Sequence, residues 1–264
     1  VPYRIELRDA GDDAIDRLVE LGALDVDHAL GGGVVALMPD HVTPDQVAPA
    51  LGSSEFSVAE AVGRDADSVW VLSPRPTRIG RLQIVPAHLE AMDGRLRLID
   101  GAAFGTGLHP TTALCLEALN EVLESDVPDA VLDVGTGSGV LALAALTLGV
   151  RRAVAIDIDQ QALRIARENA RINGLSARMR LACGGPEILA GMSPLVLANV
   201  LAAPLIEMAP VLVRRVARHG RLVLSGIPRA VEADVDRTYR RLGMRPLDVK
   251  RRGGWSALML QPSW

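Results

Sequence analysis

Residues 130–139 read AVLDVGTGSG. An apolar strand carrying Asp133 gives way to Gly135, Gly137 and Gly139, and the apolar run that follows predicts a helix over about 139–148. Glycine is needed where backbone passes close to a ligand or takes a positive φ. The N–H groups at the start of the following helix point towards such a ligand. The alternative is a tight strand–helix turn that binds nothing. The dinucleotide fingerprint GxGxxG would put its third glycine at Val140, so this GxGxG loop departs from it.

Outward from this loop, strands are expected at 130–134, 153–157, 178–182, 195–199 and 221–226. Helices are expected at about 111–124, 160–172, 201–217 and 230–242, with closing extended pieces at 244–250 and 256–261. This alternation specifies an α/β fold, a doubly wound and mostly parallel sheet with both faces covered. Ligands of such sheets bind at the carboxyl ends of the strands. Asp157 ends the strand AVAID, where a carboxylate can accept both hydroxyls of a ribose. Its competing role, a helix N-cap, better suits Asp159, just before QALRIARENARIN. Asn199 ends the strand LVLAN, and its competing role is a cap for the helix after it. Upstream, AFGTGLHPTTALCLEAL (103–119) places Phe104 and His109 in a loop, with Thr111 and Thr112 in the first turn of a helix opened by Pro110.

The first 65 residues follow another pattern. YRIEL at 3–7 alternates, 12–21 has a helical period, 24–30 and 33–38 are extended, Pro44 opens a helix capped by Thr43, and 56–62 is extended. The order is βαββαβ, that of a ferredoxin-like unit. Residues 66–95, punctuated by Pro74, Pro76 and Pro86, read as a linker with short extended pieces at 68–72 and 81–85. The expected domains are therefore 1–65, a linker over 66–95, and 96–264.

The chain has 28 Lys+Arg against 32 Asp+Glu, a net charge of −4, and only 3% aromatic residues. These values argue against a general nucleic-acid binder that stacks bases on many rings. The charge is uneven: residues 1–65 hold four Arg and 13 Asp+Glu, a net of −9, and the remainder is net +5. An acidic first domain suits a basic protein partner, with no direct nucleic-acid contact. Cys115 and Cys183 lack metal-ligand or disulfide-framework spacing, so no metal is expected and a reducing, cytoplasmic setting fits. The apolar stretch 195–213 is interrupted by Asn199, Pro204, Glu207 and Pro210, which argues against a membrane span.

The GxGxG loop with an acid two residues before it is typical of S-adenosylmethionine-dependent methyltransferases. GTGLHPTTALCLEAL, LDVGTGSGVLALAALTLG, AIDIDQQALRIARENARING, LANVLAAPL, LSGI and GGWSALML together resemble the PrmA-type methyltransferases of ribosomal protein L11. The resemblance is strong from Phe104 to Ile227 and faint over the first 65 residues. It implies a ferredoxin-like substrate-recognition domain, a linker and a Rossmann-like methyltransferase domain. It also implies that Thr112, Gly135, Asp157 and Asn199 contact S-adenosylmethionine; Phe104, a ring before two loop glycines, and Gly137 of the glycine loop complete the candidate cofactor-binding set. Where the family has Cys in the glycine loop, this chain has Thr136, and Ala203 replaces a glycine in NVLAAPL.

The implied reaction is transfer of methyl groups to lysine amines, or to an N-terminal amine, of a basic ribosomal protein by a monomer. Asn199 is the candidate for orienting the amine or the cofactor; no residue stands out as a general base. Three alternatives are a small-molecule methyltransferase, a catalytically idle ribosome-assembly partner and, more distantly, a dinucleotide oxidoreductase.

Overall fold

The computed structural model describes residues 2–8, 14–28, 33–52, 55–61, 76–87, 89–99, 110–252 and 254–264, and the chain divides into two units, Val1–Pro74 and Arg75–Trp264. The first unit runs β1 (Tyr3–Leu7), α1 (Ala14–Glu20), β2 (Asp25–His28), β3 (Val34–Met38), α2 (Pro44–Leu51) and β4 (Phe56–Glu60). Its four strands form an antiparallel sheet in the order β2-β3-β1-β4. Alternate residues Ile5 and Leu7, with Val34, Ala36 and Met38, bury themselves against Leu18 of α1 and Val47 of α2. Thr43 caps α2 as its sequence predicts: the Gln46 side chain reaches back to accept the Thr43 N–H at 2.8 Å, and Pro44 occupies the first turn.

The second unit begins with β5 (Thr77–Ile79), β6 (Leu82–Pro86) and β7 (Arg95–Leu98), a three-stranded sheet. The sequence predicts a linker over most of this stretch. Ile79, Leu82, Ile84, Leu96 and Leu98 are buried in the main core, so the segment is structural from Thr77 onwards. Runs of three to five residues between prolines carry too little periodicity to separate a sheet from an extended connector.

The rest alternates: α3 (Pro110–Ser125), β8 (Ala130–Val134), α4 (Val140–Thr147), β9 (Arg152–Asp157), α5 (Gln160–Ile172), β10 (Met179–Cys183), β11 (Ser193–Asn199), α6 (Ala202–Glu207), α7 (Ala209–Arg215), β12 (Val216–Pro228), α8 (Glu232–Arg241), β13 (Met244–Arg252) and β14 (Trp255–Pro262). The sheet order is β10-β9-β8-β11-β12-β14-β13, parallel from β10 to β12 and antiparallel at β14 and β13. Alternating residues feed two cores. Val131, Ala155, Leu197 and Val223 join the layer of α3, α4 and β5–β7; Leu132, Ile156, Val196 and Leu224 join that of α6–α8. The single helix expected over 201–217 is instead two short helices meeting at Met208. Pro210 lies in the first turn of the second and cannot donate the N–H that a continuous helix needs. From Val216 the chain is already strand, so β12 is longer than the expected 221–226.

Among the described residues, no helix is long and apolar enough to cross a membrane.

Candidate functional site

Strand order reverses direction between β8 and β11, and a cleft of about 570 Å³ opens at their carboxyl ends. Gly135, Gly137, Asp157, Asn199 and Trp255 are among its lining residues. The loop after β8 turns back on itself: Gly135 has φ 69° and Gly137 φ 55°. A Cβ on Gly135 would come within 2.3 Å of Val200 Cγ1, so both conformation and space demand glycine there.

Asp157 is held from two sides. Its Oδ2 accepts the Gly137 N–H at 2.8 Å and its Oδ1 accepts the Asp159 N–H at 3.0 Å. Each oxygen keeps a further lone pair for a ligand hydroxyl. Asp159, not Asp157, caps α5, accepting the Gln161 N–H at 2.7 Å.

Asn199 is 8% exposed and does not cap α6, whose N-cap is Leu201 without a side-chain cap bond. Its Nδ2 donates to Thr112 Oγ1 at 3.3 Å, and its Oδ1 has no hydrogen-bond partner among the described residues. A buried acceptor without a donor is costly, by about 1–3 kcal/mol. Asn199 lines the cleft, and this buried oxygen fits a ligand N–H or O–H. Thr112 is fully buried behind Asn199; its neighbour Thr111 lines the cleft. Phe104 and His109 lie outside the described residues.

Asp133 is wholly buried beneath the loop. Thr136 donates its hydroxyl to Asp133 Oδ2 at 2.6 Å, and the Ala142 N–H donates to the same oxygen at 3.2 Å. Burial nevertheless pushes its carboxyl up to about 6, against the two hydrogen bonds. Thr136, where the resembling family has Cys, thus supplies a stronger donor than a thiol would.

The cleft also has an apolar wall that sequence reasoning did not single out: Ile158, Leu201, Pro204, Met208 and Trp255. Ile158 is 81% exposed and Leu201 64%, exposure that isolated apolar side chains gain nothing from. Trp255 was visible only as part of GGWSALML; no periodicity marks it, because it reaches the cleft across the antiparallel pairing of β14 with β12.

The family model described as "Ribosomal protein L11 methyltransferase (PrmA)" matches residues 40–262. The chain belongs to this family. It is 40% identical over 219 residues to the ribosomal protein L11 methyltransferase of Pelobacter propionicus, covering 80% of this chain and 71% of that one. It is 44% identical over 189 residues to that of Geobacter sulfurreducens, covering 70% of this chain and 62% of that one, so the match spans less than two thirds of this relative. Among solved structures, the crystal structure of ribosomal protein L11 methylase from Lactobacillus delbrueckii subsp. bulgaricus is similar, with TM-score 0.66 and 28% identity, covering 72% of this chain and 100% of that one. The mostly parallel sheet with its antiparallel closing strands is accordingly a methyltransferase-type α/β fold.

Proposed function

We propose that the protein is an S-adenosylmethionine-dependent N-methyltransferase acting on lysine amines of ribosomal protein L11, with an N-terminal amine as a further candidate acceptor. The observation that carries the cofactor assignment is Asn199 Oδ1, a buried acceptor left without a donor among the described residues, on a side chain that lines the same cleft as Gly135 and Gly137. Gly135 and Gly137 would let the ligand approach the backbone, Asp157 would accept the ribose hydroxyls, and Ile158 would offer an apolar face to the base. Thr112 fixes the Asn199 amide through its hydroxyl. Phe104 stays in the binding set on the strength of its place before two glycines in the sequence.

S-adenosylmethionine supplies an electrophilic methyl group on a sulfonium, and the acceptor is a neutral amine. The residues of this chain then need only to align that amine and exclude water. A lysine titrates at about 10.4 in water, and desolvation lowers that value. The wall of Leu201, Pro204, Met208 and Trp255 supplies that desolvation. Asn199 Oδ1 supplies an acceptor for the amine or for the amino group of the cofactor.

We further propose that residues 1–65 are a ferredoxin-like substrate-recognition domain, carried on a linker that precedes the methyltransferase domain. Their element order and their net charge of −9 support this role, because an acidic surface speeds encounter with a basic ribosomal protein.

The test is mass spectrometry of purified L11 incubated with the protein and S-adenosylmethionine. Mass gains of whole methyl groups, mapped to lysines or to the N-terminal amine, are expected. Labelling of small molecules alone, or cofactor binding without turnover, would replace this reading by the small-molecule or the assembly-partner alternative.

A further inference from the structure

At the opposite edge of the large sheet, where its parallel strands begin, a second hollow of about 470 Å³ lies between the starts of β12 and β13 and the end of β14. Arg218, His219, Arg221 and Arg245 line it, with Trp264, and no Asp or Glu side chain does so among the described residues. A neighbouring hollow of about 430 Å³ shares Trp264 and adds Arg214 and Arg215.

The other cations of β13 are paired: Lys250 meets Glu121 and Asp248, Arg251 meets Glu232, and Arg252 meets Glu117. Arg218, Arg221 and Arg245 have no carboxylate within salt-bridge distance among the described residues. Trp264 is 51% exposed and rests on Gly243, where a Cβ would come within 2.7 Å of the ring. The ring, seated on Gly243 and sharing a hollow with Val213 and Val216, keeps about half of its surface in water among guanidinium groups that meet no carboxylate. Like charges so grouped repel one another.

We propose that this face binds single-stranded RNA, with phosphates against Arg218, Arg221 and Arg245 and a base stacked on Trp264. Arginine matches phosphate geometry through its planar fork, and an exposed ring is the stacking platform that single strands use. An acidic peptide would satisfy the cations but leave the indole without a flat partner. Gln261, a neutral hydrogen-bonding side chain in the same lining, suits a ribose 2′-hydroxyl, which favours RNA over DNA; the Ser263 hydroxyl already donates to the Gly243 carbonyl at 2.7 Å. The net charge of −4 does not oppose this, because the acidic excess resides in residues 1–65.

The test is fluorescence anisotropy of the full chain with a short labelled oligouridine RNA. Three neutralised phosphates predict binding about 20-fold weaker on raising salt from about 50 to about 200 mM. The double variant Arg218→Gln/Arg245→Gln is expected to lose most of that salt dependence. Trp264→Ala is expected to weaken binding by about tenfold or more, with Trp264→Phe restoring most of it. Methyl transfer to a free protein substrate should be unchanged in all three, because none touches the first cleft. The proposal is overturned if the wild-type chain does not bind the RNA or if the variants bind like wild type. It is equally overturned if an acidic peptide of equal charge, or the corresponding DNA, binds as tightly.

Discussion

The Asn169 side chain joins the glycine loop to the strand layer beneath it: its Nδ2 donates to the Ser138 carbonyl oxygen at 2.8 Å. Its Oδ1 accepts the Ile99 N–H, also at 2.8 Å. One turn later Asn173 grips Arg97 through both its N–H, at 2.9 Å, and its carbonyl, at 2.7 Å. Two asparagines four residues apart, Asn169 in α5 and Asn173 at its C-cap, thus fasten the end of β7 to the methyltransferase-type sheet.

Replacing Asn169 by Ala would remove the side-chain donor to the buried Ser138 carbonyl and the acceptor of the half-buried Ile99 N–H, each loss worth up to about 1–3 kcal/mol. The expected outcome is destabilisation of about 2–5 kcal/mol, read as a fall in denaturant midpoint. The same change at Asn173, which is less buried, should be milder. A silent Asn169→Ala protein would mean that the loop carbonyl finds another donor.

Asp157→Ala removes a charged acceptor from the cleft. Loss of charged hydrogen bonds at about 1.5–3 kcal/mol predicts about 10- to 150-fold weaker binding of S-adenosylmethionine by calorimetry. NAD should bind to neither protein. Full affinity in the variant, or tight NAD binding, would remove Asp157 from the ribose role.

For Asn199→Ser the two roles give opposite results. Serine caps helices as well as asparagine does, so a capping role predicts no effect. Since Asn199 makes no cap bond and instead meets Thr112, turnover should fall while the melting temperature holds. Wild-type turnover in the folded variant would return Asn199 to a structural role.

Asp133 gives a pH prediction. Its folded-state value of about 6 lies above the ordinary 3.8, so the folded protein binds the proton more tightly than the unfolded chain. Between those two values stability therefore falls as pH rises, by at most about 3 kcal/mol from this group. Asp133→Asn removes this contribution. Wild type should lose stability relative to Asp133→Asn between about pH 4 and 6.5, in parallel urea titrations. Identical pH profiles would show that the buried carboxyl is not raised.

How much of this was legible in sequence depends on the range of the interaction. The glycine loop, the cap at Asp159, the capping box at Thr43 and the strand–helix alternation are local, since propensity, φ requirements and side-chain period act within a few residues. They fixed the order of elements, the mostly parallel sheet and the position of Asp157 and Asn199 at carboxyl ends. Long-range juxtaposition left no such mark. Nothing in the sequence pairs Asn199 with Thr112, 87 residues away, or brings Trp255 into the cleft. The same holds for β5–β7, whose short apolar alternations become a sheet only because α3, α4 and α5 cover them and Asn169 and Asn173 bond their backbone. The break at Met208 and the unpaired arginines around Trp264 likewise follow from which strands and helices face each other. A periodicity can state which side of an element is apolar; only the closed fold decides what that side, and the polar atoms beside it, will meet.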